Sequence, residues 1–352
     1  MDNIRLREKG KQIDPFTEIM AYVNEHPETV KNLVWAPAVS FVYAPPWLVQ
    51  NIVDECCHPT SKSILCLDTT YNIGDFYVTP ITFTRQGVIL KRSGNPGIFP
   101  GPALFHQKRT GNEFFSFAAT LRQINGDISN CRFIGGDRDD AQKYFTHLMP
   151  GSLFLPCTKH VEDDIRRKID ELHLQKDKER YITQIFGSVQ LGRKGLMDAL
   201  DESQFKVEYE ELSKVWDTRF AEYFHTNIKQ DMMTGMLMST RNYLGIDRFY
   251  NNGNESMNFK YKNLIKEHVA QTRGKVRTKT TNLSFVEAVE LYDQLVTQHR
   301  KDLSTAFTYK GSYSVIGFDG NWDDMSIAQR KSVLSKVDNF HKNPVITEAC
   351  LD

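Results

Sequence analysis

Ser63-Ile64-Leu65-Cys66-Leu67-Asp68-Thr69-Thr70-Tyr71 is the stretch on which the reading of this chain turns. Ile64 to Leu67 run without a polar interruption, the pattern of a central strand buried on both faces. The run then delivers a carboxylate, Asp68, where the strand should be ending. A charge against an apolar sheet is costly unless something pairs with it. A metal ion is one such partner, and Mg²⁺ prefers oxygen ligands. A turn-forming aspartate at a strand end is the plainer alternative.

Working outward, the residues that follow fall into strand-like and helix-like runs. Phe76 to Arg85 (FYVTPITFTR) is apolar and β-branched, and the Asn72-Ile73-Gly74-Asp75 link suits a hairpin. Pro80 marks a kink or an edge. A Gly/Pro-rich loop from Ser93 to Pro102 leads to a third strand at Ala103 to His106. Gly111 to Ile124 is helical, with Phe114, Phe117, Ala118, Leu121 and Ile124 at helical spacing. Cys131 to Asp137 is a fourth strand ending in an acid, and a helix over Arg138 to Leu148 follows. Ser152 to Pro156 is a fifth strand, and Val161 to Leu174 an amphipathic helix whose outer face carries both charge signs. Three strands followed by helix–strand alternation predict an α/β fold, a mixed sheet with helices packed on it. This order is the one found in ribonuclease-H-like domains. It makes the first and fourth strands neighbours.

The rest of the chain divides around that core. Residues 1–60 are read as an N-terminal helical adaptor, with short helices at Pro15 to Asn24 and Trp47 to Cys57 flanking a Pro- and aromatic-containing stretch. The core's first part is 61–174. Residues 175–250 form an all-α insertion, with helical runs at 181–188, 193–200, 208–227 and 229–244. The core resumes over 251–300, where Asn251-Asn252-Gly253-Asn254 breaks the pattern before helices at Glu255 to Val269 and Ser284 to Thr297. Residues 301–352 are expected to be a poorly ordered tail.

Composition sets outer bounds. The 352 residues are 40% hydrophobic and 25% charged, as in an ordinary soluble protein. Formal net charge is zero, so a nucleic-acid site must come from local patches. The six cysteines form no C-x-x-C pair, and strand-like placement of Cys66 and Cys131 fits buried thiols in a reducing compartment. No apolar run approaches the roughly 18 residues a membrane span needs, and no secretory signal is seen.

Two acids, Asp68 and Asp137, thus stand at the ends of neighbouring strands. Glu255, opening a helix after the long helical interval, is the candidate third. Two Asp and one Glu so placed suit two-metal phosphoryl transfer. On the Glu255 helix, Glu255, Asn258, Lys262 and Lys266 fall on one stripe and Met257, Tyr261, Leu264 and Ile265 on another. Glu255 reaches the strand ends only if this helix packs edge-on. Acids at helix N-termini also simply favour the helix dipole, and that suffices for Asp139 and Asp140.

With these residues in view, the chain resembles the Mutator-like element transposases, DDE-type enzymes with a ribonuclease-H-like catalytic domain. Leu67-Asp68-Thr69-Thr70-Tyr71 is similar to the family's L-D-x-T-Y around the first Asp. Gly136-Asp137-Arg138-Asp139-Asp140-Ala141 is placed like its T-D-G-x-x-A, with Gly136 for the usual Thr and Arg138 for the usual Gly. Asn254-Glu255-Ser256-Met257-Asn258 is similar to its N-x-E-S-x-N, and Cys157-Thr158-Lys159-His160 to its C-x-x-H. The resemblance covers residues 60–270. It implies that Asp68, Asp137 and Glu255 hold two Mg²⁺ or Mn²⁺ ions, and that metal-dependent cleavage at transposon ends is followed by strand transfer. It also implies DNA as partner, the nucleus as location and a possible homo-oligomer.

DNA contacts are expected from Cys157, His160, Asn258 and the basic run Lys262, Lys266, Arg273, Lys275 and Arg277. A solvated linker is the plainer reading of that run. Cys157 and His160 supply only two of the four ligands a zinc site needs, so a structural or DNA-positioning role is favoured over zinc. Neither an N-terminal zinc-binding domain nor a C-terminal Cys/His-rich segment is recognised, so a truncated, decayed or domesticated copy is among the expectations. The rivals are a non-catalytic DNA-binding regulator of transposase descent, a simple ribonuclease-H-fold nuclease, and a purely structural interaction protein.

Overall fold

A computed structural model describes residues 14–71, 73–188, 190, 192–273, 283–303, 305–309, 326, 328 and 329. Among the described residues eight strands form one open sheet: β1 (Val30–Val34), β2 (Ser40–Tyr43), β3 (Leu65–Leu67), β4 (Tyr77–Leu90), β5 (Pro96–His106), β6 (Phe133–Gly136), β7 (Leu153–Pro156) and β8 (Phe307–Tyr309). Their order across the sheet is β1-β2-β5-β4-β3-β6-β7, with β8 paired to the far end of β4. β3 pairs antiparallel with β4 and parallel with β6, and β6 pairs parallel with β7. The sheet is therefore mixed, with β3 at the change from antiparallel to parallel.

Helices cover both faces. α1 (Pro15–Glu25) and α2 (Pro46–Cys56) precede β3, and α3 (Gly111–Ile124) and α4 (Asp140–Thr146) flank β6. Leu65, Leu67, Ile81 and Phe83 share one core with residues of α2, α3 and α4, including Ile52, Phe117 and Phe145. The opposite face carries α11 (Asn252–Arg273) and α12 (Phe285–Asp302), whose Met257, Tyr261, Ile265, Val289 and Tyr292 pack on Phe41, Val78 and Phe105. Of the apolar run before Asp68, Leu65 and Leu67 are buried, whereas Ile64 and Cys66 on the other face are only half-buried beside Leu244 and Phe249, so the strand is not fully buried on both faces as its unbroken pattern predicts. Buried phenols are tied to acceptors: Tyr261 donates to the Ala288 carbonyl at 2.7 Å and Tyr292 to that of Gly101 at 2.8 Å.

Between β7 and α11 lie α5 (Thr158–Glu171), α6 (Lys178–Phe186), α7 (Glu202–Ser213), α8 (Thr218–Asn227), α9 (Lys229–Gly235) and α10 (Met238–Leu244). α5 to α9 share a core of their own that includes Ile165, Tyr181, Phe205, Trp216, Phe220 and Phe224, while Leu244 of α10 packs with Phe133, Leu155 and Phe249. The described residues of this segment form helices, 3₁₀ turns and an isolated bridge between Ser188 and Arg193; the core there already uses α5, and the expected helix at 193–200 is only a 3₁₀ turn at Leu196–Asp198.

Three expectations are corrected. The N-terminal segment is not a helical adaptor alone: its two helices stand where expected, but β1 and β2 join the main sheet through β2–β5 pairing. Pro37, Pro45 and Pro46 punctuate this region like a loop, whereas Val30, Phe41 and Tyr43 are buried against the sheet. The supposed loop from Ser93 to Pro102 is largely strand β5. Gly97 is needed there for close packing, since a Cβ would stand 2.7 Å from the Phe307 ring. The expected tail begins with β8, paired with Val88–Leu90. Apart from 326, 328 and 329, the tail beyond Tyr309 lies outside the described residues. No helix among the described residues is long and apolar enough to cross a membrane.

β6 shows why this sequence reads Gly-Gly-Asp. A Cβ at Gly135 would stand 2.2 Å from Cζ of Phe249, whose ring lies against the strand. Gly135→Ala is expected to lower stability by about 1–3 kcal/mol through overpacking. Gly151→Ala, where a Cβ meets nothing within 4 Å, is expected to stay within about 0.5 kcal/mol. Urea denaturation of the two variants beside the parent checks both.

Candidate active site

Parallel pairing of β3 with β6 aligns Leu67 with Gly136. The next residue on each strand is Asp68 and Asp137, so the topology delivers both carboxylates to one end of the sheet. Burial pushes the Asp68 carboxyl up to about 7, and the Asp137 charge reinforces the shift. Glu255, in the first turn of α11, adds to the same field. Both other acids singled out in the sequence therefore act on Asp68. Glu255 itself is half-exposed, with Lys159 Nζ 3.9 Å from its Oε1.

Each carboxylate has a dedicated neighbour. Asn258 Nδ2 donates to Asp68 Oδ2 at 2.8 Å. Helix α11 does pack edge-on: Met257, Tyr261 and Ile265 face the core, and Asn258 sits at the border of that face, itself buried. Asp137 Oδ1 lies 2.7 Å from His160 Nδ1. That contact, together with a hydrogen bond to Cys157, raises the imidazole to about 10 and keeps it charged at neutral pH. Burial opposes the Cys157 thiolate, but hydrogen bonds from His160 and the Asn251 backbone N–H outweigh it and hold the thiol below its ordinary value. Cys157 also stands at the N-cap of α5, where positive helix-end charge favours an anion.

Behind the acids runs a buried polar chain. His106 Nδ1 lies 2.6 Å from the Lys108 carbonyl, which can only accept, so this nitrogen carries the proton. Nε2 must then accept from the Thr79 hydroxyl at 2.9 Å, and Thr79 in turn accepts from Thr69 at 2.9 Å. Burial lowers His106 to about 4, consistent with this neutral tautomer. The chain fixes Thr69, the residue after Asp68. Tyr71 is held on the outer side by Arg109, whose Nη1 donates to its hydroxyl at 2.9 Å while Nε donates to Asp139 at 3.0 Å. Asp139 also caps α4 by accepting from the Ala141 N–H, and Asp140 is exposed and pairs with Lys143.

The expected DNA contacts separate. Asn258 is committed to Asp68 and buried, so it orients an acid rather than facing a phosphate. Cys157 is buried behind His160 and is likewise corrected to a supporting role. Arg273 donates to Glu287 at 2.7 Å, at the other end of α11, about 27 Å from Glu255 at 1.5 Å per residue. Lys262 stays with the site: burial lowers it, while the Asp68 charge raises it, and Lys266 stands beside Lys262 and lowers it further. Lys275 and Arg277 lie outside the described residues.

Two residues that carry the site escaped the sequence reading. Buried Asn251 donates from Nδ2 to the Leu67 carbonyl at 3.1 Å and accepts from Asn254 at 2.8 Å, pinning the start of α11 to the end of β3. The Asn-Asn-Gly-Asn cluster was visible only as a helix break. Arg138 clamps the insertion: it donates to Asp231 at 2.8 Å and Asp164 at 3.1 Å and also reaches the Asn227 carbonyl.

Among the described residues no group of three or more His, Cys, Asp and Glu side chains is drawn together tightly enough to hold a metal ion. The donor chemistry nevertheless fits a hard divalent cation. The acids offer oxygen donors, Asp68 is destabilised as a bare anion, and Asn258 Oδ1 is buried without a hydrogen-bond partner. Comparison with protein-family models and with curated proteins returned no match.

The Asp68 shift has a signed consequence. Native Asp68 keeps its proton up to about pH 7, whereas an unperturbed carboxyl loses it near 3.8. Folded stability should therefore fall as pH rises from about 4 to 7. Without divalent ions, Asp68→Asn removes that loss. Relative to the parent it should gain on the order of 2–4 kcal/mol across this window and level off above it. Denaturant midpoints at several pH values check the slope, and a difference independent of pH would count against the shift.

Proposed function

We propose that this chain is the catalytic core of a DDE-type transposase related to the Mutator-like elements, with a ribonuclease-H-like fold. One observation carries the reading: Asp68 and Asp137 end adjacent parallel strands, with Glu255 entering their field from α11. The strand order supports it. Taken from β3 onward, the five core strands are arranged third-second-first-fourth-fifth, flanked by helices and followed by a helical insertion before the last acid. No membrane helix enters the account, and the natural partner is DNA in the nucleus.

Asp68, Asp137 and Glu255 would hold two Mg²⁺ or Mn²⁺ ions. When bound, such ions activate an attacking oxygen and stabilise the leaving oxygen of an in-line phosphoryl displacement. The remaining work falls to this chain's own groups. Asn258 fixes the rotamer of Asp68 through its amide hydrogen bond. Charged His160 offsets the excess negative charge beside Asp137 and holds that carboxylate in place. Lys262 and Lys266 attract the phosphate backbone toward the acids. Arg138 keeps the helical insertion seated beside the second acid. A freed 3′-hydroxyl is then the nucleophile for joining to target DNA, with no covalent protein–DNA intermediate.

The test is Mn²⁺-dependent nicking of plasmid DNA, run beside joining of an oligonucleotide with a free 3′-hydroxyl to that plasmid. Asp68→Asn, Asp137→Asn and Glu255→Gln should each lower both rates by more than about 1000-fold, some 4 kcal/mol of transition-state stabilisation. Asn258→Ala, which disturbs only the orientation of Asp68, should cost about 10–100-fold. Divalent-ion-dependent nicking without joining would favour the nuclease rival. DNA binding with no cleavage in any ion would favour the regulator.

A further inference from the structure

The outer face of α11 carries a feature that the acid constellation does not use. Phe259 is 65% exposed, the most exposed of the large hydrophobic side chains among the described residues. A singly exposed apolar residue is ordinary. This one is set apart by its position. Glu255, Phe259, Lys262 and Lys266 follow one another at spacings of four, three and four residues, which places them on a single stripe of the helix. Phe259 thus stands one turn beyond the third acid and one turn before Lys262. Lys262 lies in the field of Asp68, and Lys266 acts on Lys262 in turn, so the stripe leads outward from the site. From Glu255 to Lys266 it runs about 16 Å at 1.5 Å per residue, the length of four to five nucleotides at about 3.4 Å.

We propose that Phe259 is a base-stacking platform that receives an unpaired nucleobase beside the scissile phosphate, so that the preferred substrate is DNA opened next to the cleavage point rather than intact duplex. This rests on the function proposed above and specifies its substrate. The chemistry is that of a single-strand track: ammonium groups hold successive phosphates while an aromatic face stacks a base regardless of its identity. In an intact duplex the bases are stacked on one another and present no free face to a ring on a helix surface. On the other side of Asp68, Tyr71 is also exposed, but Arg109 holds it by a hydrogen bond and lies over its ring at 5.5 Å from the centroid. Tyr71 is therefore already engaged by Arg109, whereas the Phe259 ring stands in solvent on the stripe between Glu255 and Lys262. The ammonium groups at one end of the track complement a phosphate strand, and at the other end the acids would do so only through the cations they would hold on the function proposed above.

The experiment compares two labelled DNAs with the full chain in Ca²⁺: a fully paired duplex, and the same duplex with one arm unpaired and 2-aminopurine as the first unpaired base. The parent protein should bind the forked DNA more tightly and quench the 2-aminopurine. Phe259→Ala should lower the forked-to-paired affinity ratio by about 5- to 150-fold and abolish the quench, and Phe259→Trp should restore both. Lys262→Gln with Lys266→Gln should weaken the two DNAs alike. A ratio and quench untouched by Phe259→Ala would overturn the proposal while leaving the transposase reading in place. So would an equal loss on both DNAs, or a change in sedimentation in place of one in binding, which would make Phe259 a protein contact. Failure of the parent to bind either DNA would overturn both readings.

Discussion

The parallel contact between β3 and β6 is the constraint on which the rest of the site depends. Leu65, Cys66 and Leu67 align with Ile134, Gly135 and Gly136, and each strand then passes directly into an aspartate. Two carboxylates are forced into one neighbourhood at one end of the sheet. Their repulsion and desolvation are visible in Asp68, whose proton is held up to about pH 7. A fold under selection for stability alone would gain by replacing one of these acids. On the function proposed above the requirement is the opposite, since a bound dication would turn the same repulsion into affinity.

Around that pair the polar groups are arranged to limit movement. Asn258 holds Asp68 from α11, and His160 holds Asp137 from α5. Asn251 ties the start of α11 to the carbonyl of Leu67, so the helix carrying Glu255 is referenced to the strand carrying Asp68. The Thr69–Thr79–His106 chain secures the far side of the strand end. These contacts link elements far apart in sequence, which makes the site a property of the assembled sheet. The Gly135–Phe249 contact belongs to the same logic: a side chain on β6 would displace the loop that leads from the insertion back to α11.

The mixed sheet, its five core strands and the helical insertion were legible because each rests on local pattern. Apolar runs of strand length, a helix with Phe114, Phe117 and Leu121 at helical spacing, and acids closing two strands are all contained within short windows. Asp68 and Asp137 could be paired because crossover topology makes the first and fourth core strands neighbours. What was not legible depends on distant partners. The strands β1 and β2 exist only because β5 offers an edge some 60 residues later. Arg138 acquires its role from Asp231, 93 residues away, and Asn251 from Leu67, 184 residues away. Asn258 and Arg273 look alike in sequence, as polar residues on a basic helix. One is buried against an acid and the other is taken up by Glu287, a difference set by the angle at which α11 lies on the sheet.

The most direct test of this account is the titration of the Asp68 carboxyl itself, followed by carbon-detected NMR with selectively labelled aspartate and with Asp68→Asn for assignment. The account predicts a pKa near 7 in the absence of divalent ions. It also predicts a fall of two units or more, to about 5 or below, at saturating Mg²⁺, because a bound cation favours the charged form. A carboxyl that titrates near 4 without metal, or one near 7 that Mg²⁺ leaves unmoved, would contradict the claim that these strand ends form a cation-receptive pair.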